Sequence, residues 1–279
     1  MIEPILDHAV IDVRDRLDDA AALFRCLGFS LSGRGRHTLG SSNHLAIFAS
    51  NYLELLGWEP GAKMQRPALL RYVTGLNGIV FRAKDTDTVA ATLGRLEMPV
   101  RTPESFGREV RLPNGARMQA RFRTLTFEEG TFGSTRTYFC EHFTPELVWR
   151  EDWEQHANAA RDITRVIVQA KRPQRFRKLF GTMFGEDRLD EVSDDGFTLK
   201  AGSAAVEVAT PAAVARRFGD AAPDLRKRDE APVALVIRTA NLSKTAAALV
   251  EGEIAYREVD ERILVPAREA MNVTIEFVP

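Results

Sequence analysis

The amino-acid sequence predicts an α+β protein: four copies of one βαβββ module, paired into two half-open mixed β-barrels with flanking helices. Three observations carry this expectation. Short β-rich runs whose apolar residues alternate recur along the chain. Each group of runs opens with a strand followed by a segment with apolar residues at helical spacing, and glycines close most of those segments. The whole order then repeats at intervals of about 70 to 85 residues, the mark of an internal repeat.

The first module begins with LDHAVIDV at Leu6, then a helix with Leu17, Ala21, Phe24 and Leu27 on one face, stopped by Gly28, then strands in GFSLSGRGRH, NHLAIFA and NYLELLG. The second has NGIVFRA from Asn77, a helix with Val89, Leu93 and Leu96 on one face, and extended stretches at Arg111, Met118 to Arg123 and TYFCEHF from Thr137. The third runs from ITRVIVQA through Phe176, Leu179, Phe180 and Met183, closed by Gly185, to FTLKA and SAAVEVA. The fourth runs from VALVIRT through Leu242, Ala246 and Leu249, closed by Gly252, to IAYREV, RILVP and NVTIEFV. The longest interval holds FTPELVWREDWEQHANAA, read as the hinge. This gives domains at 1–145 and 160–279 with a linker at 146–159.

Bulk properties limit the partners. The 279 residues are 44% hydrophobic and 28% charged, with a net charge of −1, so no surplus of positive charge is available for nucleic acid or an anionic membrane. The basic clusters at Arg172 to Lys178 and Arg226 to Arg228 are followed closely by acids and read as solvated helix faces. Cys26 and Cys140 have no CxxC spacing, which suits a reduced compartment. No basic leader with a long apolar run opens the chain, and no apolar run approaches about 18 residues. The expectation is a cytoplasmic protein that takes a small-molecule substrate, with neither a nucleic-acid nor a membrane partner, workable as a monomer or a homodimer.

Glu54 stands in the middle of the apolar strand NYLELLG. A buried, unpaired carboxylate costs several kcal/mol, so something must neutralise, expose or use it. Strand alternation puts Tyr52, Glu54 and Leu56 on one face, with Leu53 and Leu55 on the other, against the helix. His8, Val10 and Asp12 share a face, so His8 can point the same way as Glu54. His44 shares a face with Ala46 and Phe48 and offers a second imidazole. Aligning TYFCEHF with NYLELLG through their tyrosines brings Tyr138, Cys140 and His142 into the cavity, while a slip of one residue brings Glu141 instead. A cavity lined by His, Glu and a further His or Glu suits a divalent transition metal with open positions. Plainer readings are a Glu54 pair with Arg34 or Arg36, a loop-orienting His44 and core-packing aromatics. The GRGRH segment reads as a loop over the cavity mouth, with Arg34 and Arg36 placed to attract an anionic substrate. It is no phosphate cradle, and no GxGxxG or P-loop occurs in a strand-to-helix setting.

LDHAVIDV, the helix ending in LGF, GRGRHTLGSSNHLAIF and NYLELLG resemble the glyoxalase-like branch of the vicinal oxygen chelate superfamily, which includes glyoxalase I, extradiol dioxygenases and bleomycin-resistance proteins. YFCEHFTPELVW and EDWEQHANAARDI are similar to the middle of its two-domain members. The resemblance implies metal ligands on the first and last strands of paired modules. These would be His8, Glu54 and a last-strand position at Cys140 to His142, taken as His142. The first-strand position of module two falls at Gly78, which cannot ligate. In the second half the corresponding positions are Arg165 and Ala234, with Glu207 and Glu276 on last strands, so the active cavity is expected in the N-terminal half.

The implied function is a metal-dependent enzyme, an isomerase, lyase or ring-cleaving dioxygenase. Its divalent ion (Zn, Fe, Mn, Ni or Mg) would chelate neighbouring substrate oxygens. Asp12, or Glu141 if it faces inward, would be the general base. His44, Phe48, Tyr52, Trp58, Tyr138 and Cys140 would line the pocket. The alternative is a metal-free sequestering protein of the bleomycin-resistance type, with Phe48, Trp58 and Phe106 in an apolar pocket.

Overall fold

Each module forms in the expected order in the computed structural model, which describes residues 2–59, 61, 67–72, 74–112, 114–193 and 195–279. Module one is β1 (Leu6–Arg14), α1 (Leu17–Cys26), β2 (Gly35–His37), β3 (Ser42–Ile47) and β4 (Tyr52–Gly57). Module two is β5 (Gly75–Ala83), α2 (Thr86–Arg95), β6 (Glu104–Arg111), β7 (Arg117–Thr126) and β8 (Arg136–His142). Module three is β9 (Ala160–Ala170), α3 (Pro173–Phe184), β10 (Leu189–Ser193), β11 (Gly196–Ala201) and β12 (Ala204–Ala209). After α4 (Pro211–Phe218), module four is β13 (Glu230–Thr239), α5 (Leu242–Glu251), β14 (Arg257–Val259), β15 (Arg262–Val265) and β16 (Thr274–Val278). The first helix shows the local logic. Asp18 and Asp19 sit in its first turn, where the helix dipole favours anions, and Leu17, Ala20, Ala21 and Phe24 bury one stripe. Gly28 then turns the chain at φ +84°, a conformation that costs glycine little.

The first sheet closes into a barrel in the order β1-β4-β3-β2-β6-β7-β8-β5. The sequence predicts a half-open barrel. Closure comes from the antiparallel pairing of β2 with β6, Arg36 opposite Glu109 and His37 opposite Arg108, which satisfies backbone groups that an open edge would expose. The second sheet, β10-β11-β12-β9-β13-β16-β15-β14, keeps two edges. Its face equivalent to the barrel interior is covered by α4, whose Val214 and Phe218 pack on Ile167, Ala234, Val236 and Leu264.

The outward faces of both sheets and the helices share one apolar core. Phe81 meets Phe184 at 4.9 Å between ring centroids, and Phe29 stacks on Phe277 at 6.1 Å, so the two halves are joined through aromatic packing. The stretch read as a hinge is itself packed. Leu147 and Val148 are buried with the barrel's interior cluster, and the guanidinium of Arg82 lies 4.4 Å over the Trp149 ring. Among the described residues no helix is long and apolar enough to cross a membrane.

The strand registers make the four modules comparable position by position. His8 pairs with Tyr52 and Val10 with Glu54. The equivalent pairs are Gly78 with Arg136 and Val80 with Tyr138, then Arg165 with Ala205 and Ile167 with Glu207, then Ala234 with Thr274 and Val236 with Glu276. His8 thus corresponds to Gly78, Arg165 and Ala234. Glu54 corresponds to Tyr138, Glu207 and Glu276.

Candidate functional site

The barrel encloses a cavity of about 60 Å³. His8 enters it from β1, Tyr52, Glu54 and Leu56 from β4, and Tyr138 and Cys140 from β8. These side chains sit where strand alternation puts them, because their neighbours Ala9, Leu53, Leu55 and Phe139 belong to the core shared with the helices. His8 Nε2 lies 3.7 Å from Glu54 Oε2 and 3.3 Å from the Tyr138 hydroxyl oxygen. The imidazole stacks on Tyr52, with centroids 4.3 Å apart and planes 13° from parallel.

Asp7 sets the state of His8. The aspartate is fully buried, and its carboxylate accepts from His8 Nδ1 at 2.7 Å, His142 Nε2 at 2.9 Å and Arg82 Nε at 2.8 Å. Burial alone would raise the Asp7 pKa, but His142 and His8 hold it far below the ordinary carboxylate value. With Nδ1–H committed to Asp7, Nε2 of His8 is the nitrogen that faces the cavity and the Tyr138 hydroxyl. The Tyr138 oxygen in turn accepts from Arg136 Nη2 at 3.1 Å.

Glu54 is the cavity's acid. Asn43 Nδ2 donates to its Oε1 at 2.6 Å, and His37 Nε2 lies 3.9 Å from the same oxygen. Burial pushes its pKa up, but His8, His37 and the Asn43 hydrogen bond outweigh that and leave it lowered, so the carboxylate is ionised at neutral pH. Opposite in character, burial raises the Cys140 thiol well above its ordinary value and keeps it protonated.

Several expected site residues are placed elsewhere. The cavity face of β3 carries Asn43 and Leu45, so His44 and Phe48 point outward. His44 Nδ1 donates to the Ser32 carbonyl at 2.9 Å, and Phe48 packs in the shared core. Trp58 follows the end of β4, half-buried, and is not part of the lining. Asp12 shares the inward face of β1 but lies four residues beyond His8, outside the cavity, where it accepts from Arg14 N and Asn77 Nδ2. Glu141 caps α2 from outside the barrel, accepting from Thr86 N at 2.9 Å and Thr86 Oγ1 at 2.8 Å, and so is no base for this cavity. Arg34 and Arg36 do not reach Glu54, because both pair with Glu59, and Arg34 also pairs with Asp18. Phe106, by contrast, does line the cavity, stacked on Phe122 at 5.3 Å.

The tyrosine alignment of β4 with β8 is displaced by two residues. Register makes Tyr138 the equivalent of Glu54, which leaves His142 four residues past that position, with Asp7 between it and His8. Gly78, equivalent to His8, has no room for a side chain, since a Cβ there would come within 2.6 Å of Val10 Cβ. In the second half the equivalent acids are neutralised. Arg165 and Arg217 hold Glu207 at 2.6 and 3.3 Å, and Arg217 and Arg262 hold Glu276 at 2.5 and 2.8 Å.

A metal ion at this fold's site would find two suitable donors in the cavity, the His8 Nε2 lone pair and the ionised Glu54 carboxylate. Two donors leave the remaining positions to water or substrate oxygens, an arrangement that suits an open site. A second group that could hold an ion is Asp7, Cys140 and His142, whose donor atoms all lie within 4.8 Å of one another. That group fits less well, because the Asp7 carboxylate already carries three hydrogen bonds and the thiol is protonated.

Sequence reasoning missed Asp7, His37, Asn43, Arg108, Phe122 and Arg136. Asn43 was accessible from parity, being in phase with Leu45 and Ile47. His37 and Arg108 meet only because β2 pairs with β6, a contact between modules. Asp7 reaches His8 through a register shift between Leu6 and His8, which breaks the two-residue period.

Comparison with known proteins agrees with this architecture. Over 98% of both chains the structure is similar to a hypothetical protein from Staphylococcus aureus, with TM-score 0.68 and 15% identity. It is also similar to a mutant of 4-hydroxymandelate synthase from Streptomyces coelicolor (TM-score 0.64, 11% identity, 99% of this chain and 92% of that one). A xylose isomerase-like TIM barrel/4-hydroxyphenylpyruvate dioxygenase fusion protein matches with TM-score 0.55 and 10% identity, over 99% of this chain and 48% of the other. No curated protein sequence matches the chain. Residues 6–184 match the family described as glyoxalase-like domain, and the protein therefore belongs to that family.

Proposed function

We propose that the protein is an enzyme acting on a small molecule inside the first barrel, with His8 and Glu54 holding a divalent ion that takes neighbouring oxygens of the substrate. The observation that carries this reading is the approach of His8 Nε2 and Glu54 Oε2 to 3.7 Å within the cavity. When bound, such an ion draws charge from the substrate oxygens and stabilises an oxyanion that develops on them. The chain supplies the rest. Asp7 fixes the His8 tautomer, Asn43 orients the Glu54 carboxylate, and Tyr52 limits rotation of the imidazole. Tyr138, with its oxygen held by Arg136, is placed to give a proton to, or take one from, a substrate atom near His8. The enclosing barrel restricts water.

The second reading, a metal-free sequestering protein, draws on the stacked Phe106 and Phe122. Titration of chelator-treated protein with Co²⁺ separates the readings. A visible absorption spectrum should develop in the wild type and in Cys140→Ser and be lost in His8→Ala and Glu54→Gln. Loss in Cys140→Ser alone would move the ion to Asp7, Cys140 and His142, and no spectrum in any of them would favour sequestration.

A further inference from the structure

Arg108 lies on β6, in the strand pair that closes the barrel; it is 2% exposed and lines the cavity. Its Nε has no hydrogen-bond partner among the described residues, and the cavity's acid, Glu54, is held by Asn43 and His8 instead. Arg136 enters the same cavity from β8. It donates from Nη2 to Tyr138, while Nη1 is buried without a partner. Burial draws the Arg108 pKa below the ordinary guanidinium value, the direction expected of a cation short of counter-charge.

The second half supplies the contrast. Its inward arginines Arg165, Arg217 and Arg262 are each paired with Glu207 or Glu276. A buried guanidinium without such a partner costs several kcal/mol, which a folded chain tolerates where a ligand completes the pair. Glu54 acts on both guanidiniums, and against burial Tyr138, Glu54 and Asp12 together hold the Arg136 pKa up, so Arg108 is the one left short of counter-charge; the planar fork of arginine matches a carboxylate. The 60 Å³ cavity exceeds the roughly 10–15 Å³ that a single water needs and suits a small ligand.

We propose that Arg108 and Arg136 form a carboxylate-binding subsite inside the barrel, and that the ligand is a small organic acid. Its carboxylate lies on the guanidiniums, and its remaining atoms face His8 and the Phe106–Phe122 pair. The proposal names the substrate class of the function proposed above and rests on that reading for turnover, but binding of the acid needs no metal.

Calorimetric titration of full-length, chelator-treated protein with lactate, its uncharged analogue lactamide and inorganic phosphate tests it. Lactate should bind at least about tenfold more tightly than lactamide, and Arg108→Met and Arg136→Met should each weaken lactate by about tenfold or more. Glu54→Gln should bind lactate at least as tightly as wild type, since a like charge is removed, even though the same variant should lose Co²⁺. An unbound Co²⁺ with lactate still bound therefore sinks the metal reading alone. Absence of lactate binding, equal affinity for lactate and lactamide, binding of phosphate but not lactate, or wild-type lactate affinity in Arg108→Met overturns the subsite. Ligand-free Arg108→Met should melt no lower than wild type, because an uncompensated buried charge has gone; a lower Tm or failure to fold would make Arg108 structural and overturn the assignment.

Discussion

At the scale of single residues, Asp7 is the group on which the site's order depends. One buried carboxylate holds two imidazoles and a guanidinium, and it decides which nitrogen His8 shows to the cavity. Asp7→Asn removes the charge that fixes this tautomer. Its Co²⁺ affinity should fall about 10–100-fold, the usual cost of losing a group that orients a ligand, and its Tm should fall as well. Unchanged Co²⁺ affinity would show that Asp7 plays no part in presenting His8. The inward placement of His8, Glu54, Tyr138 and Cys140 was legible in the sequence because strand alternation is local and their neighbours are plainly apolar. Asp7 was not legible, because a shifted register is invisible to a rule of period two. The same limit displaced His142, since an alignment through tyrosines preserves parity while sliding the strand by two.

At the scale of elements, the four strand–helix–strand orders were legible, whereas the closing β2–β6 pair, the α4 plug and the packed connection between the sheets were not. These last depend on contacts between distant segments. The connection carries its own titratable sensor. His156 Nε2 donates to the Ile47 carbonyl at 2.9 Å, while Nδ1 accepts from Ser30 N at 3.0 Å, so the fold needs the neutral ring. Burial, with Arg161 nearby, pushes its pKa down to about 4, and Phe29 and Phe48 pack against the ring. A histidine with a depressed folded pKa is protonated first in the unfolded chain. Stability is therefore full above about pH 6.5 and is lost as the pH falls from there toward 4, by on the order of 1 kcal/mol per pH unit. His44, also lowered by burial, acts with the same sign. Melting curves between pH 7 and 5 should show Tm falling in the wild type and falling less in His156→Gln. Identical slopes would refute this role.

At the scale of the whole molecule, one core joins a half with an enclosed cavity to a half whose equivalent face is covered. The first barrel keeps a cavity with two buried arginines that form no salt bridge among the described residues, while the second sheet fills the equivalent space with α4 and an arginine–glutamate network. Because Phe81 packs on Phe184 and Phe29 on Phe277, neither half buries its apolar face alone. Calorimetry should show one cooperative unfolding transition. Two separated transitions would mean that the halves are independent.

The most direct test of the account is anomalous diffraction from crystals grown with Mn²⁺ or Zn²⁺. The account predicts a single ion in the first barrel, bonded to His8 Nε2 and a Glu54 carboxylate oxygen at about 2.0–2.2 Å. Anomalous density at Asp7, Cys140 and His142, or none inside the barrel, would contradict it.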